Sequence, residues 1–160
     1  MPLASELPGM DARNCNCLAV RQASRQITQL YDQALGRVGL RATQYSILSK
    51  LARLGPLSVN ELAAEMVMDR TTMGRAVRPL EREGLLAIGP GKDGRTRALR
   101  LTAAGAARYE AAHPLWQEAQ ARFEKFYGAQ DAADLRRALE RAVTLTPCLE
   151  GRAITEGAEG

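Results

Sequence analysis

The chain is poor in the residues on which most enzymes, metalloproteins and membrane proteins depend. It holds a single histidine, His113, among 160 residues, too little material for a His-based catalytic triad or a multi-His metal site. Its 3 cysteines, Cys15, Cys17 and Cys148, are an odd number without regular spacing, which argues against a secreted disulfide scaffold. Cys15 and Cys17 have no other ligands nearby in the sequence, and no Walker or dinucleotide glycine pattern occurs. No run reaches the roughly 18 apolar residues of a membrane span. Met1 to Asp11 lack the basic-then-apolar order of a signal peptide. These absences predict a cytoplasmic protein that is not an enzyme and takes no metal or cofactor. Aromatic residues are only 4% of the chain, so its core must be aliphatic.

What is present is a globular balance, 46% hydrophobic and 25% charged, with Ala, Leu, Arg, Glu and Gln dominating long stretches that favour helix. The net charge of +4 is unevenly placed. Residues 41–102 carry 11 Lys or Arg against 6 Asp or Glu, and the rest of the chain 11 against 12. A basic segment in a neutral frame is the footprint of a surface that meets a polyanion.

Apolar periodicity lays out the elements. Residues 1–13, with Pro2, Pro8 and Gly9, read as a loose arm. Val20, Ala23, Ile27, Leu30, Tyr31, Ala34 and Val38 recur at steps of three and four, predicting one helix from Asn14 to Val38 that ends at Gly36 and Gly39. A second helix is predicted over Thr43–Leu54, with Tyr45, Leu48, Leu51 and Ala52 inward, stopped by Gly55-Pro56. Ser58 and Glu61 have the spacing of a capping box for a third helix, Val59–Met66. Asp69 caps a fourth, which Gly84 ends. The period then changes to two around a Gly89–Gly94 loop, the mark of a β-hairpin. Thr102 caps a long fifth helix containing Pro114, and Asp131 a sixth, ended by Pro147. Residues 147–160 read as a frayed tail.

The expected fold is therefore mainly α with a small β-hairpin wing: a winged helix-turn-helix of six helices. Residues 41–102 form the DNA-binding lobe, and residues 14–40 and 103–146 a helical dimerisation region. On the fourth helix, Met73, Val77 and Leu80 face the third helix through Leu62, Ala63 and Met66. The opposite face then shows Arg70, Thr71, Gly74, Arg75 and Arg78, side chains suited to phosphate and guanine edges in a major groove. Thr72 joins these candidates, and Gly74 leaves room for close backbone approach. The hairpin adds Lys92, Arg95 and Arg97, a narrow basic loop fit for a minor groove. Asp93 is expected to scaffold that loop. Ser58 and Asn60, at a helix N-terminus, are candidate phosphate contacts.

Residues 41–105 resemble the MarR family of bacterial winged-helix regulators. The resemblance rests on Leu57-Ser58-Val59-Asn60-Glu61-Leu62-Ala63, on Asp69-Arg70-Thr71-Thr72-Met73-Gly74-Arg75, on Leu80-Glu81-Arg82-Glu83-Gly84-Leu85-Leu86, and on the wing Asp93-Gly94-Arg95 leading to Leu101-Thr102-Ala103-Ala104-Gly105. The helix layout extends it over about residues 14–146. The resemblance implies an intertwined homodimer, a pseudo-palindromic double-stranded DNA operator and, by family habit, repression. The family's wing arginine maps to Arg95 and its recognition-helix arginine to Arg75.

Family members often release DNA on binding a small aromatic or phenolic acid. A crevice for one would be lined here by Arg21, Arg25, Tyr31, Tyr45, His113 and Trp116, cations beside aromatics that suit a planar carboxylate. The alternative signal is thiol oxidation. Cys17-Leu18-Ala19-Val20-Arg21-Gln22-Ala23-Ser24-Arg25 resembles the first helix of the organic-hydroperoxide-sensing branch, whose reactive cysteine maps to Cys17 and one of whose activating tyrosines maps to Tyr31. Arg21 and Ala42 stand where that branch has its two other tyrosines. Cys148 is the candidate resolving thiol.

Overall fold

A computed structural model describes residues 14–91 and 94–144. The residue 1–13 arm, the residue 147–160 tail, Lys92, Asp93 and Cys148 lie outside the described residues. The order is α1 (Asn16–Leu35), a 3-10 turn (Gly36–Val38), α2 (Ala42–Leu54), α3 (Val59–Glu65), α4 (Arg70–Arg82), β1 (Leu86–Pro90), β2 (Arg97–Leu101), α5 (Ala103–Tyr127) and α6 (Ala129–Val143). This is the expected mainly α winged helix-turn-helix with six helices.

Several boundaries moved for local reasons. α1 begins at Asn16, because Cys15 takes the N-cap place and its Sγ accepts from the Leu18 amide at 3.4 Å. It ends at Leu35, not Val38, since the chain tightens into the 3-10 turn before Gly39 swings to φ +72°. Gly89 and Pro90, expected in the loop, belong to β1, opposite Ala98 and Arg97. Pro90 is tolerated there because β1 is an edge strand. α6 is not capped by Asp131. Gly128, at φ +97°, turns the chain sharply enough for the helix to start at Ala129, which places Asp131 in the first turn, where a carboxylate suits the helix dipole. α6 ends at Val143; Pro147 lies outside the described residues.

The core is aliphatic, as the scarcity of aromatics requires. Leu35, Leu40, Ile47, Leu48, Leu62, Met73, Leu80, Leu85 and Leu99 are its largest fully buried side chains. α2 packs against α1, α3, α4, α5 and β2, so it buries Ile47 beside Tyr45, Leu48 and Leu51, while Ala52, expected inward, is exposed. α3 carries Leu62 and Ala63 against Met73, Val77 and Leu80 of α4. Each buried aliphatic side chain contributes about 1.5–3 kcal/mol, and these contacts fix the angle at which α4 leaves the core.

The turn between α3 and α4 carries a strained residue. Val67 sits at φ +52° and is 68% exposed. A β-branched residue is disfavoured there, at a cost of about 1–2 kcal/mol for a left-handed L-residue. Val67→Gly is therefore expected to stabilise the fold by about 0.5–1 kcal/mol after the larger backbone entropy of glycine in the unfolded chain. Urea unfolding of both proteins measures this, and a lower midpoint for the glycine variant would contradict it.

Candidate nucleic-acid interface

The interface is built on two rigid supports. The first is α4. Asp69 caps it with both carboxylate oxygens: Oδ1 accepts from the Thr72 amide at 2.9 Å and Oδ2 from the Thr72 hydroxyl. These bonds, the hydroxyl first, hold the Asp69 carboxyl below its ordinary value. The cap is consequently complete above the ordinary aspartate range and is lost as pH falls through the lowered value. Thr72, expected on the DNA-facing surface, spends its hydroxyl proton on this cap. Arg70, Thr71, Arg75 and Arg78 are exposed on the face opposite buried Met73, Val77 and Leu80. Among the described residues, no carboxylate pairs with Arg70, Arg75 or Arg78. A Cβ on Gly74 would meet nothing within 4 Å, so nothing inside the protein requires glycine there.

The second support is the hairpin. β1 and β2 pair antiparallel from Leu86 opposite Leu101 to Pro90 opposite Arg97. Two features hold it to the body, and sequence reasoning missed the Leu57 bridge and the Thr102 bond to Gly84. Leu57 bridges to β2, its amide donating to the Leu99 carbonyl at 3.1 Å and its carbonyl accepting from the Leu99 amide at 2.7 Å. Thr102 closes the far end: its hydroxyl donates to the Gly84 carbonyl at 2.6 Å while accepting the Gly105 amide at 3.0 Å. Leu57 directly follows a Gly-Pro stop and shows no strand period, so a one-residue bridge left no signal. Arg95 and Arg97 are exposed on the hairpin, and Gly94 turns its tip at φ +69°.

The two supports meet at a hollow of about 460 Å³. Ser58 and Asn60 from the start of α3, Arg70 from the start of α4, and Ile88, Thr96, Arg97 and Leu99 from the hairpin line it. Four of the expected contact residues thus share one concavity. Arg75 and Arg78 continue the surface along α4. Ser58 caps α3 reciprocally with Glu61, accepting its amide at 3.2 Å and donating its own amide to Oε2 at 2.7 Å. Physically, this is an arginine-bearing helix beside a basic prong, with the first residues of α3 and α4 lining the hollow between them. It can grip an anionic rod without making or breaking a bond.

Three of the six residues expected around a small acid stand together. Tyr45, His113 and Trp116 form an aromatic cluster with Tyr109. The Tyr45 hydroxyl stands 2.9 Å from His113 Nδ1, and Tyr45 stacks on Tyr109 at 5.5 Å and on Trp116 at 6.0 Å. Burial, and secondarily Tyr109, pushes the Tyr45 hydroxyl well above the ordinary tyrosine value. Tyr31 instead donates to Gln120, and burial raises its value too. Arg21 is exposed, and Arg25 borders a separate polar hollow with Thr28, Gln29, Asp32 and Arg41. Cys15 and Cys17 are both exposed free thiols.

Comparison with known proteins is consistent with this geometry. The MarR family model matches residues 40–88. The M. tuberculosis transcriptional regulator MosR, in a crystal structure of its complex with DNA, is 37% identical, with a TM-score of 0.66 over 80% of this chain and 98% of that one. A probable transcriptional regulator from Pseudomonas aeruginosa is 27% identical, with a TM-score of 0.72 over 82% of this chain and 98% of that one. The uncharacterised HTH-type transcriptional regulator YwoH of Bacillus subtilis is 28% identical over 91 residues, and the match spans 57% of this chain and 66% of that relative's length.

Proposed function

The chain belongs to the MarR family, and from that premise we propose that it is a DNA-binding transcription regulator, acting in the cytoplasm as a homodimeric repressor on a pseudo-palindromic operator. The observation that carries this reading is the α4 face of Arg70, Arg75 and Arg78, without carboxylate partners among the described residues and continuous with the hollow that Arg97 shares. α4 enters a major groove, and the prong carrying Lys92, Arg95 and Arg97 reaches the adjacent minor groove, with Asp93 shaping its loop. Ser58 and Asn60 meet phosphate. The solved DNA complex of the M. tuberculosis relative supports the partner. The test is duplex binding by fluorescence anisotropy across a salt series. Affinity should fall steeply, with a log–log slope of about −0.9 for each phosphate neutralised; a flat salt response would overturn the reading.

The homodimer is supported by an apolar groove of about 500 Å³ between α1 and α6, lined by Ala19, Val20, Ala23, Ile27, Leu135 and Leu139. Val20 is 50% and Val143 56% exposed in the single chain, more apolar surface than an isolated helical arm leaves in water. Residues 14–40 and 103–146 then form the dimer region and 41–102 the DNA lobe.

Gly74→Ala separates stability from binding. In an open helix position it should stabilise the fold by about 0.5–1 kcal/mol, and yet weaken duplex binding by holding the backbone off the DNA. Paired thermal melts and anisotropy titrations check this; tighter binding by the alanine variant would contradict it.

Release by a small aromatic or phenolic acid is one proposed signal, with Arg21, Arg25, Tyr31, Tyr45, His113 and Trp116 as its candidate residues. Exposure of Cys17 favours a second reading, release by thiol oxidation. Organic peroxide should then abolish DNA binding by the wild type and spare Cys17→Ser. Equal resistance of both would remove Cys17 from the account.

A further inference from the structure

Arg100 is the one hairpin arginine that the interface does not use. It pairs in register with Ala87, and its neighbour on the same strand face, Ala98, pairs with Gly89. Strand side chains alternate, so Leu99 and Leu101 turn to one face and Arg100 shares the other with Ala87, Gly89 and Ala98. That second face is a trough, since none of those three residues has a side chain longer than a methyl group. The Arg100 guanidinium lies along it. Nη2 donates to the Pro90 carbonyl at 2.6 Å. A Cβ placed on Gly89 would stand 3.1 Å from Nε, 3.2 Å from Cζ and 3.3 Å from Nη2, so the absence of that carbon is what lets the group lie flat. Pro90 is the last residue of β1, and the pairing continues past it through the Gly91 amide, which donates to the Thr96 carbonyl at 2.7 Å. The Arg100 bond is therefore a side-chain tie across the hairpin near its tip, added to the backbone bonds that pair the strands.

We propose that Arg100 is a positioning residue for DNA binding. It holds the wing tip, and with it Arg95, at the angle the minor groove requires, while making no phosphate contact of its own. The proposal rests on the reading of the chain as a DNA-binding regulator. It assigns different roles to two arginines five residues apart, and it assigns a role to Gly89.

The test uses the full chain and a duplex bound by the wild type, titrated by anisotropy over a salt series. Arg100→Ala should weaken binding about two- to tenfold, the range a single hydrogen bond supports, with the salt slope unchanged. Gly89→Ala keeps every charge but pushes the guanidinium off its seat, and should weaken binding similarly. Arg95→Ala combined with Arg100→Ala should be little weaker than Arg95→Ala alone, because a brace has nothing left to place. A salt slope shallower by about 0.9 per protomer in Arg100→Ala, with Gly89→Ala binding like the wild type, would make Arg100 a phosphate contact and overturn the proposal. Wild-type affinity in both variants would overturn it as well. Failure of the wild type itself to bind any duplex with salt dependence would instead remove the DNA-binding reading, and the proposal with it.

Discussion

Arg75→Ala is expected to weaken operator binding by at least tenfold, about 1–3 kcal/mol for a base-edge arginine at each half-site. Arg75 sits mid-way along α4, exposed, on the face opposite Met73 and Val77, which are 0% and 3% exposed. No carboxylate among the described residues holds its guanidinium. Its removal should therefore leave folding nearly untouched, within about 0.5 kcal/mol. Arg95→Ala is expected to act in the same direction from the wing. Band-shift titrations alongside thermal melts and sizing of each variant separate the effects. Unchanged affinity in both variants, with the dimer intact, would remove α4 and the wing from the interface.

Gly105→Ala is expected to be the most damaging single-methyl change to the fold, at about 1–3 kcal/mol or more. Gly105 lies in the first turn of α5, and an added Cβ there would fall inside the contact radius of the Leu85 carbonyl oxygen. That oxygen accepts the Thr102 amide at 3.1 Å, and Leu85 is 2% exposed, so backbone rather than a flexible side chain would have to move. The junction also carries the Thr102 cap. The variant should melt several degrees lower, at about 2–4 °C per kcal/mol for a chain of this size, and should bind DNA more weakly because the wing pivots on this contact. A melting point equal to the wild type would show that the junction relaxes freely.

The DNA-reading half of the molecule was legible because its constraints are local. The Ser58–Glu61 box, the Asp69 cap and the Met73-Val77-Leu80 stripe each announce themselves within a few residues, and each took its expected place. Thr102 and Gly105 were recognisable as a motif, but the reason for the glycine, a carbonyl 20 residues upstream in the chain, is tertiary. The Leu57 bridge and the Arg100 tie were illegible for the same reason: both are cross-chain bonds with no periodicity behind them. Asp131 misled because it is an excellent capping residue, whereas Gly128 with its left-handed turn started α6 earlier. The aromatic residues show a constraint that composition does not. Tyr45, His113 and Trp116 have the chemistry of a ligand site, yet they satisfy one another by stacking and by the Tyr45–His113 bond. Composition cannot show that these side chains hold one another.

The most direct measurement of the central claim, that α4 and the wing together grip a specific duplex, is genome-wide mapping of the DNA bound by the wild-type chain, followed by footprinting of the strongest sites. The account predicts a small set of sites with pseudo-palindromic halves about one helical turn apart, protected in the major groove of each half and the flanking minor groove, and lost together in a variant carrying Arg75→Ala and Arg95→Ala. Binding spread evenly over the genome, or sites that persist in the double variant, would contradict it.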